Sequence, residues 1–390
     1  MPADVLLHCL SPILWLILAL WFLDEEPIKR IISCWVIMLV ICMFLSFMMV
    51  YRISSMLGSV VKWSEVLFYG WFLSGLFSLF QMFKNFLFLW IKKIVIWPDV
   101  LVRNGFVQLL CFVILFVSMI PFFLAMTSIH RVKVGNSNDP RTALGLDYED
   151  VSWRTGDGLN IKGWYVPNRS DKAVLIAHGL GVNRSNFMVV VELWHQLGFN
   201  VLIFDFRGHG DSDGRTITFG YQERLDVIGG WDYLTRIKKI DPSKIIGYGV
   251  SFGGAAMINV ASQNIRFQKL IIDSSYASID DMAMNIVERQ PIVPFFLSSI
   301  FKEIGLFFVE LELGFDIREK SPENMIAALT GTPVLFIHGR GDKLINYFQT
   351  MRLFSRAGQP KEIYIMDTSG HFGTVNDRSY KAIIQSFLDS

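Results

Sequence analysis

The residue types that could carry chemistry lie late in the chain. Ile245 to Ala256 reads I-I-G-Y-G-V-S-F-G-G-A-A, with Ser251 set between Gly249 and Gly253 where an apolar run gives way to a small-residue helical pattern. A serine hydroxyl is a weak nucleophile, so a serine that reacts needs a base and an acid that orients the base. Downstream, G-R-G-D-K places Asp342 just after an apolar run ending at His338, and T-S-G-H-F places His371 after the last apolar run. Serine, carboxylate and histidine in this order, each at the end of a strand-like run, are expected to form a Ser-Asp-His triad. Acyl transfer also needs N–H donors for the developing oxyanion. The backbone N–H of Phe252 follows the serine directly, and the N–H of Leu180 is expected from the glycine loop H-G-L-G at His178 to Gly181. Asp273 is the alternative acid; His178, His195, His209 and His338 are read as structural. Taken singly, a loop aspartate is often a turn former and a glycine pair only a turn; the shared order favours the triad.

These residues need a frame, and the pattern after Val134 supplies one. The polar stretch V-G-N-S-N-D-P-R reads as a linker, 131–146, so that a chain beginning near Asn138 is expected to hold the whole catalytic domain. D-Y-E-D-V-S-W-R-T and N-I-K-G-W-Y-V-P, split by Gly156-Asp157-Gly158, predict a hairpin. Then come apolar runs at 173–178, 200–205, 244–249, 269–273, 333–338 and 362–367, separated by helical segments. Continuous apolar runs suit strands covered on both faces, hence an α/β domain with a mostly parallel sheet over 147–390. In such a sheet a serine between strand and helix sits on a sharp turn, and glycines on either side allow the close backbone approach that the turn requires. The stretch of about 276–328 is longer than a strand connection needs, and Pro291 to Leu311 is rich in Phe, Ile and Leu. It reads either as a cap over an apolar pocket or as an amphipathic helix completing the core.

Residues from Asp147 onward resemble the α/β-hydrolase superfamily. The resemblance rests on H-G-L-G, D-F-R-G-H-G-D-S (Asp205 to Ser212), G-V-S-F-G, H-G-R-G-D and S-G-H-F, each after the strand where such serine hydrolases carry it. It implies the α/β-hydrolase fold and a Ser-His-Asp enzyme acting on carboxylic esters, thioesters, amides or lipids, without saying which.

The front third is of another kind. Between Asp4 and Asp24, Arg30 and Arg52, Glu65 and Lys84, and Arg103 and Arg131 there is no Asp, Glu, Lys or Arg. Each stretch is near or above the ~18 residues that span a bilayer, and none has the polar face of a soluble helix. About four transmembrane helices are expected over 1–130, and Phe86 to Trp97, with two lysines mid-run, suits the membrane interface. The first stretch lacks the flanks of a signal peptide. Lysine and arginine are balanced between the two sets of loops; their absence before the first stretch leans toward a non-cytoplasmic catalytic domain.

The remaining composition mostly excludes. A formal net charge of +1 and no Lys/Arg run beyond a pair argue against nucleic acid. The four cysteines (Cys9, Cys34, Cys42, Cys111) all fall in the apolar third without metal-ligand spacing, so neither metal nor disulfide framework is implied, and no cofactor is expected. The resulting expectation is a membrane-anchored acyl ester hydrolase, carboxylesterase-, lipase- or thioesterase-like, with an acyl-enzyme on Ser251 and a lipid-like or ester substrate. A peptidase or amidase with the same triad, or a non-catalytic membrane scaffold, are the alternatives.

Overall fold

The computed structural model describes residues 119–261 and 265–390. The chain divides into two compact units, Met1–Ile120 and Pro121–Ser390. The first three charge-free stretches, the segment 86–97, all four cysteines and the fourth stretch up to residue 118 lie outside the described residues. Among the described residues no helix is long and apolar enough to cross a membrane.

The second unit is built on one eight-stranded sheet. Its strands are β1 (Glu149–Arg154), β2 (Asn160–Val166), β3 (Ala173–Ala177), β4 (Asn200–Phe204), β5 (Ile245–Val250), β6 (Lys269–Asp273), β7 (Val334–Gly341) and β8 (Lys361–Ser369), in the order β1-β2-β4-β3-β5-β6-β7-β8. β1 pairs antiparallel with β2, and β2 with β4; all the other neighbours are parallel. Every residue of β3 to β6 is buried, which is why these runs are apolar throughout instead of alternating. β3 lies between β4 and β5. The chain therefore winds one way from β3 to β4 and the other way to β5, and the C-terminal ends of β3 and β5 flank the crevice where the winding reverses, the place where open α/β sheets bind ligands.

The connection from β6 to β7 carries the long insertion, called the cap below. After α2 (Ile279–Glu288), which Ser278 caps by accepting the N–H of Asp281, a 3-10 turn (Phe295–Leu297) leads into α3 (Ser298–Leu313). Two acidic residues in the first turn of α2, Asp280 and Asp281, suit its positive end. α3 turns Phe301, Leu306 and Val309 inward, while Phe307 and Leu311 point outward and are exposed.

The segment expected to be a linker is part of the globule. Residues 119–129 are helical, and Phe122 meets Phe308 of α3 edge-on, with ring centroids 4.9 Å apart. Ile129 is fully buried and its carbonyl accepts the N–H of Ile217 at 2.9 Å, next to a bridge between His130 and Thr216. Asn183 Nδ2 donates to the carbonyls of Val134 and Gly135, both at 3.0 Å. Asn136 Nδ2 donates to Asp211 at 2.6 Å and to Asp205 at 3.1 Å. The segment read as a linker thus bonds to distant loops, its Val134 carbonyl accepting from Asn183 and its Asn136 amide donating to Asp205.

Candidate active site

Ser251 stands directly after β5 with φ +55, a left-handed backbone that costs a non-glycine residue about 1–2 kcal/mol. Its neighbours hold it there. The N–H of Ser251 donates to the carbonyl of Asp273 at 2.7 Å, and Ser275 Oγ donates to the carbonyl of Ser251 at 2.9 Å. The flanking glycines are required by contact: a Cβ on Gly249 would lie 2.6 Å from the carbonyl oxygen of Gly253, and one on Gly253 would lie 2.1 Å from that of Ala177. Helix α1 (Phe252–Ala261) begins at once, so its N-terminal N–H groups, that of Phe252 included, lie at the serine.

Asp342 and His371 meet across the ends of β7 and β8. His371 Nδ1 donates to Asp342 Oδ2 at 2.6 Å. Asp342 Oδ1 accepts the N–H groups of Leu344 (2.7 Å) and Ile345 (3.0 Å). Burial alone would raise the pKa of Asp342, but hydrogen bonds from His338 and His371, the charge of His371 and the Ile345 N–H outweigh it and hold the carboxyl well below the usual range. With Nδ1 facing the carboxylate, His371 keeps its lone pair on Nε2. That atom is buried and has no hydrogen-bond partner among the described residues. A shift of register between Gly339 and Gly341 marks a bulge in the β7–β8 pairing beside this site, and a bulge bends its strand and re-aims the side chains next to it. Ser251 and the residue after His371 close on one point: a Cβ on Gly179 would lie 3.1 Å from the Phe372 ring and 3.8 Å from Ser251 Cβ.

Leu180 follows Gly179 and is partly buried against the core. Two histidines hold the loop on either side of it. His178 Nδ1 donates to the Gly179 carbonyl at 2.7 Å while its Nε2 accepts the Phe206 N–H at 3.0 Å. His209 Nε2 accepts the Gly181 N–H at 3.2 Å while its Nδ1 donates to the Arg207 carbonyl at 2.9 Å. Burial pushes His178 down to about 4; burial and then the charge of His178 push His209 down to about 3, so both rings stay neutral acceptors and donors. The rest of D-F-R-G-H-G-D-S is scaffold. Asp205 accepts the Arg184 N–H at 2.8 Å and pairs with its guanidinium, and Arg207 reaches Asp226 and Asp157, each at 2.7 Å.

Asp273, the alternative acid, faces elsewhere. Its carboxylate accepts from Ser274 Oγ at 2.8 Å, Thr374 Oγ1 at 2.9 Å and Tyr380 OH at 2.7 Å. His195 is a structural residue near the Pro167 carbonyl, at 3.1 Å. His338, expected to be only structural, has its Nε2 3.2 Å from Asp342 Oδ2 and 2.9 Å from the Ile345 carbonyl, while its Nδ1 accepts from Thr350 Oγ1 at 2.6 Å. It braces the carboxylate from the side away from His371. Its place four residues before Asp342 in H-G-R-G-D is the one signal of this in the sequence. Among the described residues no group of three or more His, Cys, Asp or Glu could hold a metal ion.

Under α3 lies a narrow apolar cleft that is partly open to solvent. Leu124, Ala125, Phe219, Met282, Ile286 and Leu306 are among its lining residues, and Lys302 is the one charged residue there among the described residues. The helix 121–129 forms one wall and α2 and α3 another.

Strand order, elbow and paired carboxylate and histidine define a class, that of the α/β-hydrolases. Residues 168–326 match the family described as serine aminopeptidase, S33. The chain is 31% identical over 239 residues to the protein YqkD of Bacillus subtilis, covering 60% of this chain and 76% of that one. It is 25% identical over 260 residues to the yeast membrane protein YNL320W of Saccharomyces cerevisiae, covering 65% and 84%. Among solved structures, the Pyrococcus furiosus esterase Pf2001 superposes with a TM-score of 0.57 at 26% identity, over 67% of this chain and 97% of the esterase. The chain belongs to the α/β-hydrolase family and is a serine hydrolase.

Proposed function

We propose that the protein is a membrane-anchored hydrolase of acyl esters working through an acyl-enzyme on Ser251. The observation that carries the residue roles is the 2.6 Å hydrogen bond from His371 Nδ1 to Asp342 beside a buried Nε2 without a partner among the described residues. His371 Nε2 takes the proton from Ser251 Oγ as the oxygen attacks the acyl carbonyl, and the N–H groups of Leu180 and Phe252 receive the negative oxygen. Asp342 holds the imidazole in the required tautomer and stabilises its positive charge. His371 then hands the proton to the departing alkoxide, and water repeats the sequence to release the acid. The lining of the cap cleft, apolar apart from Lys302 and Ser128, suits an acyl chain, although Ser251, Asp342, His371, Leu180 and Phe252 are not among its lining residues.

Anchoring is supported by the first three charge-free stretches and by the name of the yeast relative; the fourth runs on into the helix 119–129, which packs on α3. The absence of lysine and arginine before the first stretch leans toward a hydrolase domain on the non-cytoplasmic side. A second reading, amide or peptide cleavage with the same triad, is favoured by the serine aminopeptidase description of the matching family. A panel of p-nitrophenyl esters, acyl thioesters and aminoacyl anilides on the purified full chain separates the two. Faster turnover of esters, rising with acyl length and lost in Ser251→Ala, is expected; anilides as the better substrates would sink the ester reading. Failure to react with a fluorophosphonate would sink the mechanism itself.

A further inference from the structure

We propose that the outer face of α3, with the 3-10 turn before it, rests on the surface of a lipid bilayer. α3 already buries one stripe through Phe301, Leu306 and Val309, and a surface helix of that kind is polar on its other side. Here the other side is largely apolar, broken by Ser299, Glu303 and Glu312. Phe296, Ile300, Phe307 and Leu311 recur at spacings that keep them on one face, and they are 79%, 53%, 60% and 68% exposed. Ile292 (65%) and Phe295 (84%) extend the patch beyond the helix. Six exposed large apolar side chains around one charged residue, Glu303, mark a contact site, and large aromatics beside charged groups suit the interfacial region of a bilayer.

The end of the apolar third chooses the occupant. The 118 residues outside the described structure hold the charge-free stretches, and the chain leaves them through the helix 119–129, which packs on α3 itself, Phe122 against Phe308 and the Pro121 carbonyl beside Gly305. The apolar third therefore joins the hydrolase at the helix that carries the exposed patch. Leu124 and Ala125 from the entering helix and Leu306 from α3 line the apolar cleft on the inner side of the same helix. This inference rests on reading the stretches before residue 119 as membrane spans.

The test uses the full chain in phosphatidylcholine vesicles, with Cys9, Cys34, Cys42 and Cys111 replaced by alanine and a bimane placed on Phe296→Cys, Phe307→Cys or Leu311→Cys. Gln268→Cys, exposed at the opposite end of the sheet before β6, is the control. Phosphatidylcholine bearing a nitroxide near the headgroup is expected to quench the cap labels about threefold more than the control. Equal quenching at all four positions overturns the proposal. So does shielding of the cap labels from aqueous iodide without quenching by lipid: if it grows with protein density a second copy covers the patch, and if it does not, the chain's own first 118 residues do. Alkaline carbonate washing tests the spans separately. Release of the protein overturns the span reading, and the same labels, read with vesicles added to the released protein, still decide the cap. Each variant is used only if it still reacts with a fluorophosphonate. A label-free variant, Phe296→Ser with Phe307→Ser, is expected to lower turnover of a vesicle-borne long-chain ester about tenfold and to leave a short soluble ester unchanged; equal losses on both overturn the proposal.

Discussion

Asp342 receives two histidines, but only His371 presents its other ring nitrogen without a partner among the described residues. That asymmetry ranks the expected mutational effects. Ser251→Ala and His371→Ala should each lower kcat by roughly 10³–10⁶, and Asp342→Asn by about 10⁴, because the members act as a unit. His338→Gln, which loosens the carboxylate from behind, should cost only about tenfold. Asp273→Asn should be mild, since its carboxylate serves Thr374 and Tyr380; a larger loss than in Asp342→Asn would show that the acid has been misassigned. The histidines around Leu180 give a second test. His178 and His209 have folded pKa values of about 4 and about 3, below the ~6.5 of an unfolded chain. The unfolded state therefore binds more protons in that interval, so the stability these residues contribute is complete above pH ~6.5 and falls as the pH drops toward 4. Each should forfeit about 2 kcal/mol by pH 5. The thermal unfolding midpoint should fall between pH 7 and pH 5, and His209→Gln should flatten that fall; an identical fall in wild type and variant would contradict the account.

At the scale of elements, the tightest constraint is the turn from β5 into α1. Gly253→Ala would drive a methyl group into the Ala177 carbonyl, and a loss of more than about 3 kcal/mol is expected, visible as a collapse of folded yield while the far edge of the sheet is unaltered in sequence. In the cap, Gly305 has room: an added Cβ there would sit 3.5 Å from the Pro121 carbonyl, its nearest neighbour. Gly305→Leu should therefore fold, fill the cleft and reduce kcat/KM for long acyl esters far more than for acetyl esters, as measured across a chain-length series; uniform change would detach the cleft from the acyl group. Much of this is legible in the sequence for a physical reason. β3 to β6 are covered on both faces, so burial writes unbroken apolar runs, and G-V-S-F-G falls visibly between a strand and a helix. His338 is not legible as a brace, because its contact with Asp342 depends on the bend of the chain through Leu344 and Ile345. The outward stripe on α3 is hidden as well: hydrophobic content over Pro291 to Leu311 predicts burial, and only the packed cap shows which half of it stays outside.

At the scale of the whole molecule, the boundary suggested by composition and the boundary drawn by packing differ. Asn136, Ser137 and Asp139 look like linker, yet Asn136 and Ser137 hold the loops after β3 and β4, Ser137 through its N–H to Ser185 Oγ at 3.2 Å. A chain starting at Asn138 is expected to lose most fluorophosphonate reactivity and short-ester turnover, and one starting at residue 119 to keep both; full activity of the shorter chain would mean that the segment is dispensable. The same packing bears on what cleavage can do. Arg141 is exposed on the short helix Pro140–Leu144, just past the bonded stretch. A tryptic cut after it breaks the main-chain path from the first 141 residues to the sheet, yet it leaves the hydrogen bonds of Ile129, Val134, Gly135 and Asn136 untouched. The nicked protein should therefore persist as two polypeptides that sediment together and still turn over substrate, parting only when a denaturant breaks those bonds.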